Sequence, residues 1–252
     1  KWFVRQVGKL SDGMSLCFKE GLTSGKMLDY VYRNTPSGKT FLGKQLDKAF
    51  LNHPGWVAIR FRRRNLESLL TEALQEKTGV VRLIDIASGP ADYILSVLEK
   101  SGNGRIEAIC QDLDARWLEE GRQNAATRGI KNITFRIGNA FDTKSLVGFQ
   151  PHIVVSSGFY DWINDAELIR GSIRSIFDAL TPGGSFVLTI QTSHPNLSLV
   201  QQLFSDFNHK PLQMTMRSQK EMSDWLQESG FQIEKILQDT HKYYAVFKVR
   251  KP

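Results

Sequence analysis

The chain has 252 residues, 41% hydrophobic and 23% charged, ordinary values for a globular protein and enough to bury one sizeable core. Its net charge of +7 is local: residues 1–82 hold 15 Lys or Arg against 7 Asp or Glu, whereas residues 83–252 hold 18 against 19. So basic a leading segment disfavours a cationic partner and suits an anionic one, such as a phosphorylated small molecule, a lipid headgroup or RNA, although a solvated helical face carries the same charge.

In chain order, residues 14–34 and 41–77 read as helical. Asn34, Pro36, Ser37 and Gly38 break the chain between them. In the second span Ala58, Ile59, Phe61, Leu66, Leu69, Leu70, Ala73 and Leu74 recur at spacings near three and four, with Arg60, Arg62, Arg63 and Arg64 among them. From Val80 strands and helices alternate. Strands are predicted at 81–86, 105–111, 132–137, 152–156 and 185–190, and helices at 92–100, 114–127, 165–180 and 196–207. Such alternation implies right-handed crossovers and a parallel sheet. A helix at 218–229 follows, then FQIEKILQ and YYAVFKV, an antiparallel hairpin on one edge. The change of pattern divides the chain into an N-terminal helical cap, 1–79, and an α/β domain, 80–252.

Residues 179–205 carry no charged side chain, but Pro182, Gly183, Gly184, Gln191, His194 and Pro195 interrupt them, so no transmembrane segment is expected. Cys17 and Cys110 fit no metal or redox spacing, and none of the five histidines falls at a ligand spacing, so no metal is expected. A reducing, cytoplasmic setting is the default.

The stretch VRLIDIASGPADY, Val81–Tyr93, carries most of the chemical signal. An apolar run ends in Asp85, turns through Ala87, Ser88, Gly89 and Ala91, and opens into a helix. Residues this small let a backbone pass close to a nucleotide-like ligand. The next run ends in Asp112, a carboxylate able to hold both ribose hydroxyls, with Asp114 two residues later as the alternative. A dinucleotide-binding dehydrogenase needs the same parts, but its G-x-G-x-x-G is absent.

LIDIASGPADY, CQDLD, FRIGNAFD, HIVVSSGFYDW, LTPGGSFVL and the closing hairpin occur in the order found in class I S-adenosylmethionine-dependent methyltransferases, which residues 80–252 resemble. NHPGWVAIRFRRRN, SSGFYDW, TPGGSFVLTIQTSHP and MRSQKEM narrow the resemblance to a little-studied bacterial methyltransferase family, often fused to an α/β-hydrolase, and extend it back to about Glu20. The chain contains no G-x-S-x-G elbow. The resemblance implies an α/β fold with a Rossmann-like seven-stranded sheet, mostly parallel with an antiparallel C-terminal hairpin, and S-adenosyl-L-methionine as cofactor. It places Asp85 on the methionine amino group, and Ala87, Ser88 and Gly89 in the cofactor turn. It places Asp112 on the ribose, Leu113 beside the adenine, Asn139 on the adenine amino group with Ala140 and Phe141 flanking the ring, and Ser156 next to the transferable methyl. Ala87 and Ala91 stand where many members have glycine, and Asn139 where many have Asp.

Three groups are placed to meet an acceptor. Tyr160, Asp161 and Trp162 follow the fourth strand, His194 follows the fifth, and Tyr30, Tyr32 and Arg33 lie in the cap. His194 or Tyr160 is the expected base or orienter, with Asp161 beside them, and Tyr30, Arg33 or Arg60 holds an anionic acceptor. The bland alternatives are a core Trp162 and a His194 that caps a helix. An anionic or lipid-like small molecule is the preferred acceptor, RNA the second, and a hydrolase partner follows by analogy with the family. A catalytically silent binding module is the reading from another class.

Overall fold

The computed structural model describes residues 7–102, 104–142, 144–206 and 208–252, without the side chains of residues 144 and 145. The chain forms two compact units: residues up to Phe61 with His194–Met214, and Arg62–Ser193 with Thr215–Pro252.

In the first unit α1 (Asp12–Glu20), α2 (Gly25–Arg33) and α3 (Phe41–Leu51) start at Ser11, Ser24 and Thr40, whose hydroxyls accept the N–H three residues on. The sequence predicts one helix over 14–34, but the chain breaks it at Gly21, where φ is +86°, and restarts it at the Ser24 cap. The helix predicted over 41–77 is likewise two. It stops at Leu51, and α4 (Pro54–Gln75) begins on Pro54, which has no N–H to leave unpaired at a first turn. Cys17, Leu22, Met27, Val31, Leu51, Trp56 and Leu212 form the apolar core of this unit. The returning segment is tied in where the Leu22 amide donates to the Ser205 carbonyl at 2.8 Å. Within it α9 (Leu197–Leu203) is shorter than the predicted 196–207, the last of which lies outside the described residues.

The second unit is a seven-stranded sheet. Its strands are β1 (Val81–Asp85), β2 (Ile106–Asp112), β3 (Ile133–Ile137), β4 (Ile153–Ser156), β5 (Ser185–Gln191), β6 (Gln232–Gln238) and β7 (Tyr244–Arg250). They lie in the order β3-β2-β1-β4-β5-β7-β6; β1 to β5 are parallel, and β7 is antiparallel to both β5 and β6. Central strands are buried on both faces, β5 along its whole length, which explains their unbroken apolar runs. Edge strand β6 carries exposed Glu234 and Lys235 at a register shift, a protection against pairing with another edge. Helices α5 (Asp92–Ser101), α6 (Ala115–Thr127), α8 (Ala166–Ala179) and α10 (Gln219–Glu228) fall within two residues of their predicted bounds. The short α7 (Lys144–Phe149) and a 3-10 turn at Tyr160–Trp162 have no counterpart in the sequence reading. Expected core residue Trp162 sits on that turn 44% exposed.

The order places β1 beside β4, where successive connections leave in opposite directions. Asp85 pairs with Cys110 on one side and Val155 on the other, and Asp112 pairs with Ile137. Asp85, Asp112 and Ser156 thereby share the carboxyl edge at the switch point, the usual ligand crevice of an open α/β sheet.

Candidate active site

Asp85 ends β1 fully buried. Its Oδ2 accepts the Tyr93 hydroxyl, while its Oδ1 has no hydrogen-bond partner. Burial pushes the carboxyl up to about 7, against the pull of the Tyr93 hydroxyl and the Ala87 amide. A buried carboxylate oxygen left unpaired is costly, so this atom fits a ligand donor. The turn above it is held by backbone bonds from Ser88 to Gln111 and from Ala91 to Ser88, both 3.0 Å. Gly89 has φ +53°, and a Cβ added there would meet nothing within 4 Å, so the turn faces open space. Ala91 keeps the left-handed conformation at φ +58° despite its methyl group.

Asp112 at the end of β2 binds this turn directly. Its Oδ2 accepts the Gly89 amide at 2.8 Å, and its Oδ1 accepts the Asp114 amide at 3.0 Å. The alternative carboxylate, Asp114, is otherwise engaged: it caps α6 through the Arg116 amide at 2.9 Å and pairs with the Arg116 guanidinium at 2.6 Å, which holds its carboxyl below the usual range. Leu113 is 69% exposed beside this edge. Asn139 spends its Oδ1 on the Phe141 amide at 3.0 Å, while Ala140 is buried. Ser156 is fully buried and its Oγ has no partner. The structure thus brings Asp85, Ala87, Ser88, Gly89 and Asp112 into one connected turn.

The loop after β4 is built from buried polar contacts. Asp161 Oδ1 accepts the Gln191 amide at 2.7 Å, and its Oδ2 lies 4.0 Å from Arg62. Burial raises the carboxyl to about 6, opposed by Arg62, the Gln191 amide and Arg217. The Arg217 guanidinium donates to the carbonyls of Tyr160, at 2.7 Å, and Ile163. These contacts fasten the loop to the end of β5. Tyr160 corrects the sequence reading. Its ring is fully buried and its hydroxyl pairs with Ser172 at 3.0 Å, so it is a core residue that meets no acceptor in this conformation.

The remaining acceptor candidates lie in the first unit. The Tyr30 hydroxyl donates to Asp47 and pairs with Ser37 at 2.8 Å; burial, then Asp47, pushes it up to about 12. Arg33 lies 6.0 Å over the Tyr30 ring. Arg60 donates to the carbonyls of Leu51, at 3.0 Å, and Val31, at 3.4 Å, near the ends of α3 and α2. His194 is half-buried, its Nδ1 without a partner, and burial together with His53 lowers its proton affinity.

Sequence reasoning missed Arg62 and Arg217, whose partners lie far off in the chain, and Tyr93, whose hydroxyl returns to Asp85 within the same stretch. It also missed Asp47, a fully buried carboxylate. Asp47 accepts Ser11 Oγ at 2.6 Å, the Gly13 amide at 2.7 Å, the Ser37 amide at 2.9 Å and the Tyr30 hydroxyl. Among the described residues no group of three or more His, Cys, Asp or Glu is placed to hold a metal, and no helix is long and apolar enough to cross a membrane.

Comparison with known proteins gives the same family. The uncharacterized protein YnbC of Escherichia coli strain K12 is 33% identical over 240 residues, covering 91% of this chain and 41% of YnbC, so the chain spans about two fifths of that relative's length. The demethylmenaquinone methyltransferase of Lactococcus lactis is 27% identical over 187 residues, covering 72% of this chain and 67% of that protein. The structure of magnesium protoporphyrin IX methyltransferase from Synechocystis, solved with bound S-adenosylhomocysteine, shares the fold with a TM-score of 0.61 at 11% identity, over 93% of this chain and 98% of that one. The family described as "Putative methyltransferase" matches residues 1–251, and the chain belongs to it.

Proposed function

We propose that this methyltransferase carries the methyl group of S-adenosyl-L-methionine, its expected cofactor, to an anionic or lipid-like small molecule. The observation that carries the cofactor half is the unpartnered, buried Oδ1 of Asp85 beneath the open Gly89 turn. In this reading Asp85 accepts the cofactor's ammonium and Asp112 its ribose hydroxyls. Ala87, Ser88 and Gly89 leave room for its chain, and Leu113, Asn139 and Ala140 line its base. Asn139 Oδ1 already serves a backbone amide, so only its second lone pair is left for the adenine amino group. Asp112 is preferred to Asp114 because the latter is taken up by its cap and by Arg116.

The cofactor supplies a sulfonium methyl with an already activated leaving group. What falls to the chain is alignment and the exclusion of water. Ser156 lines the edge at β4, and Asp161 holds the loop there. His194, with lowered proton affinity, is neutral near pH 7 and so able to accept a proton from a hydroxyl acceptor. Arg33, rather than Arg60 with its two backbone carbonyls, is the cation proposed for an anionic acceptor.

The basic excess of residues 1–82 supports an anionic acceptor. A relative named for demethylmenaquinone supports a lipid-like one. The test is transfer of labelled methyl from the cofactor into bacterial extract separated into lipid, small polar and RNA fractions, with Asp85→Ala as control. Label in the lipid or anionic fraction with the wild type alone supports the reading. Label in RNA, or none in any fraction, contradicts it.

A further inference from the structure

The amino-acid end of S-adenosylmethionine carries two opposite charges, and Asp85 answers only the ammonium. The cofactor's carboxylate and that of Asp85 repel one another, and a cation nearby offsets the repulsion. Arg62, the first residue of the second unit, supplies one. Its guanidinium lies 4.0 Å from Asp161 Oδ2, 5.0 Å over the Tyr244 ring, and 3.2 Å from where a Cβ on Gly158 would stand. Gly158 has φ +74° and donates its amide to Thr189 Oγ1 at 2.8 Å, so the chain end of β4 is shaped to admit the guanidinium. Tyr93, whose hydroxyl sits on Asp85, feels the Arg62 charge as a pull against its burial. The guanidinium therefore stands beside Gly158, just past the end of β4, the strand whose Val155 pairs with Asp85 on β1.

We propose that Arg62 binds the carboxylate of the cofactor's amino-acid end, so that Arg62 and Asp85 together recognise a zwitterion. This rests on the cofactor reading above and adds a residue to it. A planar guanidinium is suited to the task because it offers two parallel N–H donors to a carboxylate. Asp161 and the Tyr244 ring hold it in place for that contact.

Calorimetric titration of the whole chain with two ligands tests this. S-adenosylhomocysteine carries the amino-acid end, and 5′-methylthioadenosine keeps the adenosine and sulfur but lacks that end. Arg62→Ala weakens the first roughly 10–100-fold, the scale of a lost charge-assisted hydrogen bond, and leaves the second within about twofold. Arg62→Lys recovers part of the loss, and Asp112→Ala weakens both ligands. Equal loss of both ligands in both Arg62 variants assigns Arg62 a structural role and overturns the proposal, as does an unchanged affinity for S-adenosylhomocysteine. A wild-type chain that binds neither ligand overturns the cofactor reading, and this one with it.

Discussion

Asp85 shows how one side chain couples stability to binding. Its carboxyl titrates near 7 in the folded chain and near 4 when unfolded. The folded value is the higher one, so folding takes up a proton between them and stability falls as pH rises from about 4 to about 7. Asp161, raised to about 6, acts in the same direction. Asp85→Asn removes the charge that burial penalises, and an amide oxygen can still accept the Tyr93 hydroxyl. At pH 8 the ligand-free variant is expected to be about 1–3 kcal/mol more stable than wild type, with the gain vanishing near pH 4. Thermal melts at the two pH values check this, and a variant less stable at pH 8 contradicts it. S-adenosylhomocysteine affinity moves the other way: it falls at least about tenfold in the variant, and in wild type it weakens as pH drops below about 7, where binding must first release the Asp85 proton. Asp85 and its turn were legible in the sequence because their signal is local. Tyr93 was present in the same quoted stretch, but nothing in its spacing says that its hydroxyl returns to Asp85.

At the scale of elements, strands and crossover helices follow from local periodicity, since the central runs β4 and β5 are buried on both faces and a crossover helix such as α8 on one. The N-terminal helices were harder, because a continuous apolar period runs through Gly21 and through Asn52–Pro54, where backbone chemistry ends each helix. Long-range polar contacts left no local signal at all. Asp47 gathers donors 10 to 36 residues away, so it reads in sequence as a solvated helix position. Removing it orphans buried donors at Ser11, Gly13 and Ser37, and Asp47→Ala is expected to cost about 3 kcal/mol. Hydrogen exchange should then show lost protection at the start of α1, around Tyr30 toward the end of α2 and in the Ser37 turn, and unchanged exchange there would contradict the role. Lys248 on β7 is another such group, 1% exposed among Glu72, Glu76 and Glu234. Those glutamates are about one-third exposed, so solvent screens part of the attraction, and Lys248→Ala should cost about 2–3 kcal/mol in urea denaturation. A loss under about 0.5 kcal/mol would mark the cluster as a surface network.

For the whole molecule, composition and compactness draw different lines. Charge and pattern change near residue 80, whereas the compact units divide at Phe61 and Arg62, and residues 194–214 belong with the N-terminal helices. His194 therefore shares a unit with Tyr30, Arg33 and Arg60, while Arg62 shares one with Asp85 and Asp161. Two arginines two residues apart on α4 thus do different work: Arg60 satisfies helix carbonyls, and Arg62 faces the carboxyl edge of the sheet. The small-residue turn alone would suit many nucleotide-binding α/β proteins. Whether Asp85, Gly89 and Asp112 form a site for S-adenosylmethionine is decided by titration calorimetry with that cofactor and with NAD. One-site binding of S-adenosylmethionine is expected, weakened by roughly 1.5–3 kcal/mol in Asp112→Ala, with no heat from NAD. Binding of NAD in its place, or full affinity in Asp112→Ala, would contradict it.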